Sequence, residues 1–138
     1  MIESATRGRA ETHPRAPDPR LRGRTYAITF DRVWNAALGL AGGGLPRWRV
    51  LKSDDEKGAI HAEALTTVLR RPCDVRIRIG LDSNGQTRVD VRAALAAGKH
   101  DWGSNARRIQ RFMEALDAKL AATPAQILDP TRQPQFTA

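Results

Sequence analysis

Two adjacent stretches of the chain alternate between apolar and charged residues, and together they predict a β-hairpin. One face of this hairpin holds the apolar positions Val75, Ile77, Ile79, Leu81, Val89, Val91 and Ala93. The other face holds the charged positions Asp74, Arg76, Arg78, Arg88, Asp90 and Arg92. A three-residue loop, Ser83-Asn84-Gly85, keeps the two faces separate, whereas a two-residue loop would bring Leu81 opposite Arg88. The pattern therefore selects the three-residue loop, with Gly85 in the left-handed conformation.

This register predicts which charged side chains meet across the hairpin. Arg78 lies opposite Asp90, an ion pair that contributes about 0.2–1 kcal/mol. Arg76 lies opposite Arg92, and two like charges are unfavourable unless an acidic group is close. If the sheet is a meander, Glu63 on the preceding strand is the expected internal acid.

The remaining periodicities place further strands and two helices around the hairpin. The predicted strands are Thr25–Phe30, Trp48–Lys52 and Ala59–Val68. A first helix is expected to be capped by Asp31 and ended by three glycines at 42–44. A last helix covers about Ser104–Ala121, capped by Asp101 or Ser104. The order β-α-β-β-β-β-α predicts an α+β fold, an antiparallel sheet with two helices packed on one face.

Composition divides the chain into three parts. Residues 1–24 hold six arginines against three acidic residues, with three prolines and almost no apolar side chains. Such a segment buries too little surface to offset its ordering entropy, so residues 1–23 are predicted to be a disordered basic arm. Residues 24–122 are predicted to form a single α+β domain, and the proline-containing residues 123–138 a flexible tail.

Charge and cysteine content narrow the classes of function. The net charge of +8 favours negatively charged partners in general. No apolar run approaches the ~20 residues of a membrane span, and the N-terminus lacks the apolar region of a secretory signal. We therefore expect a cytoplasmic protein without a transmembrane segment. The single cysteine, Cys73, excludes an intrachain disulfide and is expected to pack as a small apolar residue.

Several sequence stretches resemble a known bacterial family. They are WRVLKSDDEKGAIHAEALTT, DVRIRI, RVDVR, and DWGSNARRI followed by Phe112. Together they are similar to the family catalogued as domain of unknown function 1499, over roughly residues 26–120. The resemblance implies a shared fold and no established activity. The turn before Asp74 departs from the family pattern, because Arg71-Pro72-Cys73 stands where aromatic and acidic residues are usual.

The charged sheet face is the first candidate site. Its residues are Glu63, Arg76, Arg78, Asp90 and Arg92. A bound carboxylate or phosphate would relieve the arginine pair at 76 and 92, which suggests a shallow site for an anionic ligand or an acidic protein surface. The alternative is a solvated ladder of ion pairs that keeps the sheet soluble.

The start of the last helix is the second candidate site. A helix N-terminus presents unpaired amides and a partial positive charge, and Lys99, His100, Arg107 and Arg108 add to it. An anion could bind there; the alternative is ordinary capping by Asp101, with Trp102 packed beside it. Nucleic acid is not the expected partner, because the charged sheet face carries no aromatic residues for stacking on bases.

The sequence contains no glycine-rich phosphate loop, no metal-spaced His/Cys set and no nucleophile motif, so we expect neither an enzyme nor a cofactor or metal site. The favoured function is a non-enzymatic binding or protein-interaction module. Its partner would be a protein or a small anionic ligand on the charged sheet face. The alternative is an anion- or nucleic-acid-binding domain that uses the basic arm and the N-terminus of the last helix. The identity of the partner and the oligomeric state stay open.

Overall fold

The computed structural model describes residues 9–67, 69–95 and 103–133, which form seven strands and two α-helices. The strands are β1 (Arg9–Glu11), β2 (Arg24–Tyr26), β3 (Trp48–Asp54), β4 (Ala59–Leu65), β5 (Pro72–Leu81), β6 (Thr87–Leu95) and β7 (Ile127–Leu128). The helices are α1 (Phe30–Gly39), continued by a π-turn over Leu40–Gly44, and α2 (Ser104–Lys119). Short 3-10 turns cover Pro19–Leu21 and Pro130–Arg132.

The strands form one antiparallel sheet in the order β3-β4-β5-β6-β2-β7. The short β1 also pairs with β6, on the same side as β2 but further along the strand. The buried residues of both helices and the apolar side of the strands make one hydrophobic core. The predicted α+β fold is therefore confirmed, and the sheet gains β1 and β7, which the sequence pattern did not predict.

The hairpin of β5 and β6 has the predicted register. Ile79 pairs with Val89, Arg78 with Asp90, and Arg76 with Arg92. The Asp82 amide donates to the Gln86 carbonyl at 2.9 Å, which leaves a three-residue loop. Gly85 in that loop has φ of 75°, the left-handed conformation in which glycine meets no steric penalty. Leu81 is the exception on the apolar face, since half of it is exposed.

The structure corrects the expectation that the whole N-terminal segment is a disordered arm. Residues 1–8 lie outside the described part, but residues 9–23 are folded against the domain. The Thr12 amide continues the pairing of β1 by donating to the Val91 carbonyl at 2.9 Å. Ala10 and Leu21 are buried in the core. Backbone pairing and buried apolar side chains hold this segment, and composition reveals neither.

The expectation of a flexible tail from residue 123 is corrected in the same way. β7 pairs with β2, so that Ile127 lies opposite Tyr26. The Asp129 carboxylate then caps the following 3-10 turn by accepting from the Thr131 amide at 3.0 Å. Residues 134–138 lie outside the described part of the chain.

The ends of several elements differ from the sequence prediction. β2 ends at Tyr26 rather than at Phe30, which is the first residue of α1, and β3 continues to Asp54. The residue before α1 is Thr29, so Asp31 lies inside the first turn rather than capping it. Gly103, with φ of 82°, precedes α2; Ser104 is the first helical residue, and Asp101 lies outside the described residues. β4 ends at Leu65 instead of continuing to residue 68.

Candidate functional site: a charged groove on the sheet

The face of the sheet opposite the helices carries charged side chains in rows that cross the strands. Pairing between neighbouring strands places Lys52, His61, Arg76, Arg92 and Glu11 in one row, which runs from β3 to β1. Side chains directly opposite each other on antiparallel strands are close enough to interact. Three members of this row carry a fixed positive charge, and its carboxylate, Glu11, stands at the end.

A broad groove of about 910 Å³ lies over this row. Strands β4, β5 and β6 form its floor, and residues 11–14, where the chain leaves β1, form one wall. The charged or titratable side chains that line the groove are Glu11, His13, Lys57, His61, Arg76, Arg78, Asp90 and Arg92. Four of them are lysine or arginine and two are carboxylates, so the groove attracts negatively charged groups. The structure thus brings four of the five predicted face residues together, while Glu63 does not line the groove.

The acid that serves Arg76 is Asp74 rather than Glu63, which corrects the sequence prediction. The Asp74 carboxylate accepts from Arg76 Nε at 3.2 Å and from His61 Nε2. Partial burial raises the pKa of Asp74, but the hydrogen bonds from His61 and Arg76 outweigh it and hold this pKa below its ordinary value. Glu63 lies opposite Asp74 and forms its ion pair with Arg49 at 3.1 Å.

Asp90 is used inside the fold, although the register places it opposite Arg78. Its carboxylate accepts from Arg88 Nη2 at 2.7 Å and from Arg88 Nε at 3.1 Å. It also accepts from the Thr12 hydroxyl at 2.6 Å. The side chain of Arg88, expected on the exposed face, is fully buried and donates to the Arg22 carbonyl at 2.6 Å. The pair Arg88–Asp90 therefore holds the segment from Thr12 to Arg22 at both of its ends, and the first residues of this segment form the groove wall.

The second predicted site is only partly described, because Lys99 and His100 lie outside the described residues. Arg107 is exposed at the start of α2. Arg108 instead turns toward the sheet and donates to the Asn105 side-chain oxygen, with Cys73 Sγ 3.5 Å from its Nη1. The structure thus separates Arg108 from a solvent-facing cluster at the helix N-terminus.

Cys73 belongs to a buried polar contact that the sequence prediction missed. Its thiol donates to the Asn105 side-chain oxygen at 3.1 Å, and both residues are fully buried. Burial raises the pKa of the thiol, and the nearby Arg108 guanidinium only partly opposes this effect. The signal available in the sequence was the Asn105–Arg108 spacing, three residues apart on one helix face. The arrangement joins β5 to α2.

In the described ranges, no group of three or more His, Cys, Asp or Glu side chains is arranged to hold a metal ion. The described helices also include none that is long and apolar enough to cross a membrane.

Comparison with models of known protein families gives a match over residues 5–116 to the family described as "Protein of unknown function (DUF1499)". The match spans both β1 and most of α2, and so extends further toward the N-terminus than the sequence resemblance suggested. Comparisons with curated proteins and with solved structures give no match.

Proposed function

Since the chain belongs to the DUF1499 family, whose function is unknown, we propose from its geometry that it is a binding module for an acidic segment of a partner protein. The observation that carries this proposal is the direct pairing of Arg76 with Arg92 on the floor of the charged groove. Two adjacent guanidinium groups repel each other, and a carboxylate that bridges them removes this cost while forming charge-assisted hydrogen bonds.

The distribution of internal acids supports the same conclusion. Asp74 is shared between Arg76 and His61, and Asp90 accepts from the buried Arg88 and from Thr12. The end of the row at Arg92 then faces Glu11, which lies in the groove wall. The positive charge of the row is thus only partly compensated by acids of the chain, and a carboxylate from a partner would compensate more of it.

The size and shape of the groove favour an extended segment over a compact molecule. Its volume of about 910 Å³ lies near the upper end of the ~300–1,000 Å³ typical of small-molecule pockets. Charged residues at alternate positions of two neighbouring strands line this groove, with Arg76 and Arg78 on β5 and Asp90 and Arg92 on β6. An acidic peptide in extended conformation repeats its side chains with the same period of two.

Binding of a fluorescein-labelled oligoglutamate peptide, followed by anisotropy, tests the proposal. We expect Arg76→Glu and Arg92→Glu each to weaken binding roughly tenfold or more. We expect Glu11→Gln to strengthen it, because a carboxylate leaves the groove. Arg132→Glu is the matched control, since it makes the same change of charge at an exposed residue that does not line the groove.

If Arg132→Glu and Arg92→Glu lose the same amount of peptide affinity, the effect is one of overall net charge, and the groove is not the binding site. Weakened binding by Glu11→Gln would do the same. Citrate is a useful competitor: if it binds more tightly than the peptide and displaces it, the ligand is a small polycarboxylate rather than a protein segment.

The runner-up function, polyanion binding by the basic N-terminal segment, has less support. Arg20 forms an ion pair with Asp18 at 2.8 Å, and Arg22 donates to the Ala16 carbonyl at 2.8 Å. Arg24 is held by Asp117 of α2 at 3.0 Å. These guanidinium groups stabilise the fold, so fewer of them are available to contact phosphates.

A further inference from the structure

We propose a second binding site, for a phosphate group, in a small cavity between the turn before β3 and helix α2. The cavity lies near the β3 end of the sheet, and none of its lining residues belongs to the charged groove. Arg47, Arg108 and Arg111 line it together with Trp48 and Thr67. Its volume of about 70 Å³ is roughly twice the ~30 Å³ that one water occupies in the liquid. A single tetrahedral oxyanion fits a space of this size.

The residues that line this cavity carry positive charge, and none of them is acidic. Its lining residues, all within the described part of the chain, include three arginines and no carboxylate. Arg108 and Arg111 are three residues apart on α2, so they project from the same face of the helix. Arginine is the residue best suited to phosphate, because its planar fork donates two parallel hydrogen bonds to adjacent oxygens.

The backbone conformation of Arg47 is a second observation that supports a binding site here. The Trp48 amide donates to the Leu45 carbonyl at 3.3 Å, closing a turn with Pro46 and Arg47 at its centre. Arg47 has φ of 68°. A turn with proline first and positive φ second is type II, whose second position normally holds glycine or asparagine. A large side chain at this position is strained, and strained residues of this kind are concentrated at functional sites.

Two contacts direct the strained residue toward the cavity. The Arg47 carbonyl accepts from the Leu65 amide at 3.0 Å, which joins the turn to the end of β4. Arg47 Nη2 donates to the Thr67 hydroxyl at 3.3 Å on the same side. Trp48 is held against Phe112 of α2, with ring centroids 5.6 Å apart, so the cavity has a stiff apolar wall. The site is therefore preorganised before a ligand arrives.

Isothermal titration calorimetry with inorganic phosphate, at low ionic strength and with chloride as the reference anion, tests this site. We expect phosphate to bind, and Arg111→Gln and Arg47→Asn each to weaken binding roughly tenfold or more. Asparagine tolerates positive φ, so Arg47→Asn removes the guanidinium without adding strain. Arg49→Gln is the matched control, because Arg49 follows Trp48 on β3 but pairs with Glu63 on the opposite face.

Methyl phosphate distinguishes the two sources of the group. Binding as tight as that of inorganic phosphate assigns the cavity to a phosphomonoester, whereas binding of inorganic phosphate alone assigns it to the free ion. Absence of phosphate binding by the unmodified protein overturns the proposal, as does unchanged binding by both Arg111→Gln and Arg47→Asn. An equal loss in Arg49→Gln also overturns it, because the effect would then be one of net charge.

Discussion

Replacing Asp90 by asparagine removes the negative charge from the most deeply buried ion pair among the described residues. The Arg88 side chain is 0% exposed, and its Nη2 lies 2.7 Å from Asp90 Oδ1. The same carboxylate accepts from Thr12, where the chain leaves β1. We therefore expect Asp90→Asn to destabilise the whole fold and to loosen the N-terminal segment in particular.

The expected loss follows from what the replacement leaves behind. Removing one partner of a buried ion pair typically costs about 3–5 kcal/mol, because the other charge stays buried without compensation. Arg88 keeps its hydrogen bonds to the Arg22 carbonyl and to Thr25, and asparagine still offers Thr12 an acceptor. The loss should therefore lie near the lower end, at about 3 kcal/mol. For a chain of this length, that corresponds to a fall in Tm of roughly 10 °C.

Urea unfolding followed by far-ultraviolet circular dichroism measures the free energy of unfolding of both proteins. The matched control is Asp74→Asn, which breaks an ion pair of the same type whose side chains are about half exposed. An exposed pair contributes about 0.2–1 kcal/mol, so the control should lose no more than that. If Asp90→Asn loses as little as Asp74→Asn, Arg88 is adequately solvated without its partner, and the reasoning is wrong.

Three further predictions concern single residues. Gly58→Ala should lower the free energy of unfolding in urea by roughly 3 kcal/mol or more, and Gly85→Ala by about 1 kcal/mol. Both glycines have positive φ, but only at Gly58 would the new Cβ lie 1.8 Å from the Ile79 carbonyl oxygen. Equal losses in the two variants would contradict this. Cys73 should react with Ellman's reagent at pH 8 far more slowly in the native protein than in urea, because burial raises its pKa; equal rates would show that the thiol is accessible. Folding lowers the pKa of Asp74, so the ionised carboxylate stabilises the fold fully above its ordinary pKa of 3.8, and this stabilisation is lost as the pH falls through the folded pKa. Between pH 5 and pH 2, the unmodified protein should therefore lose more stability than Asp74→Asn. Parallel profiles of stability against pH for the two proteins would refute this.

The hairpin could be predicted from the sequence because two independent constraints agree there. Strict alternation fixes which side chains share a face, and a one-residue slip would bury arginines. The glycine at position 85 fixes the left-handed residue of the loop. Only one register satisfies both, and it places Arg76 opposite Arg92 as observed. The charged face of the candidate site follows directly from this register.

The groove wall could not be predicted in the same way, because no periodic pattern encodes it. Residues 9–23 join the fold through backbone pairing, through the buried Leu21 and through the acceptors around Arg88. Composition counts Arg20 and Arg22 as charges in a disordered arm, although their hydrogen bonds are internal. Gly23 leaves room for the buried guanidinium, because a Cβ at this position would lie 2.5 Å from Arg88 Nη2.

The burial of Arg88 also explains why the groove keeps its positive charge. The charged face of the hairpin bears two acids and four arginines, and Arg78 lies opposite Asp90. Because the Asp90 carboxylate turns to Arg88 and Thr12, its charge is compensated beneath the N-terminal segment rather than in the groove. The Arg88–Asp90 pair therefore holds the groove wall in place, and it also leaves the positive charge of Arg76 and Arg92 without compensation from Asp90. If this coupling is correct, Arg92→Glu, which places a carboxylate opposite Arg76, should raise the free energy of unfolding and weaken peptide binding together. In a solvated ladder of ion pairs, the same change would raise the free energy of unfolding without an effect on peptide binding.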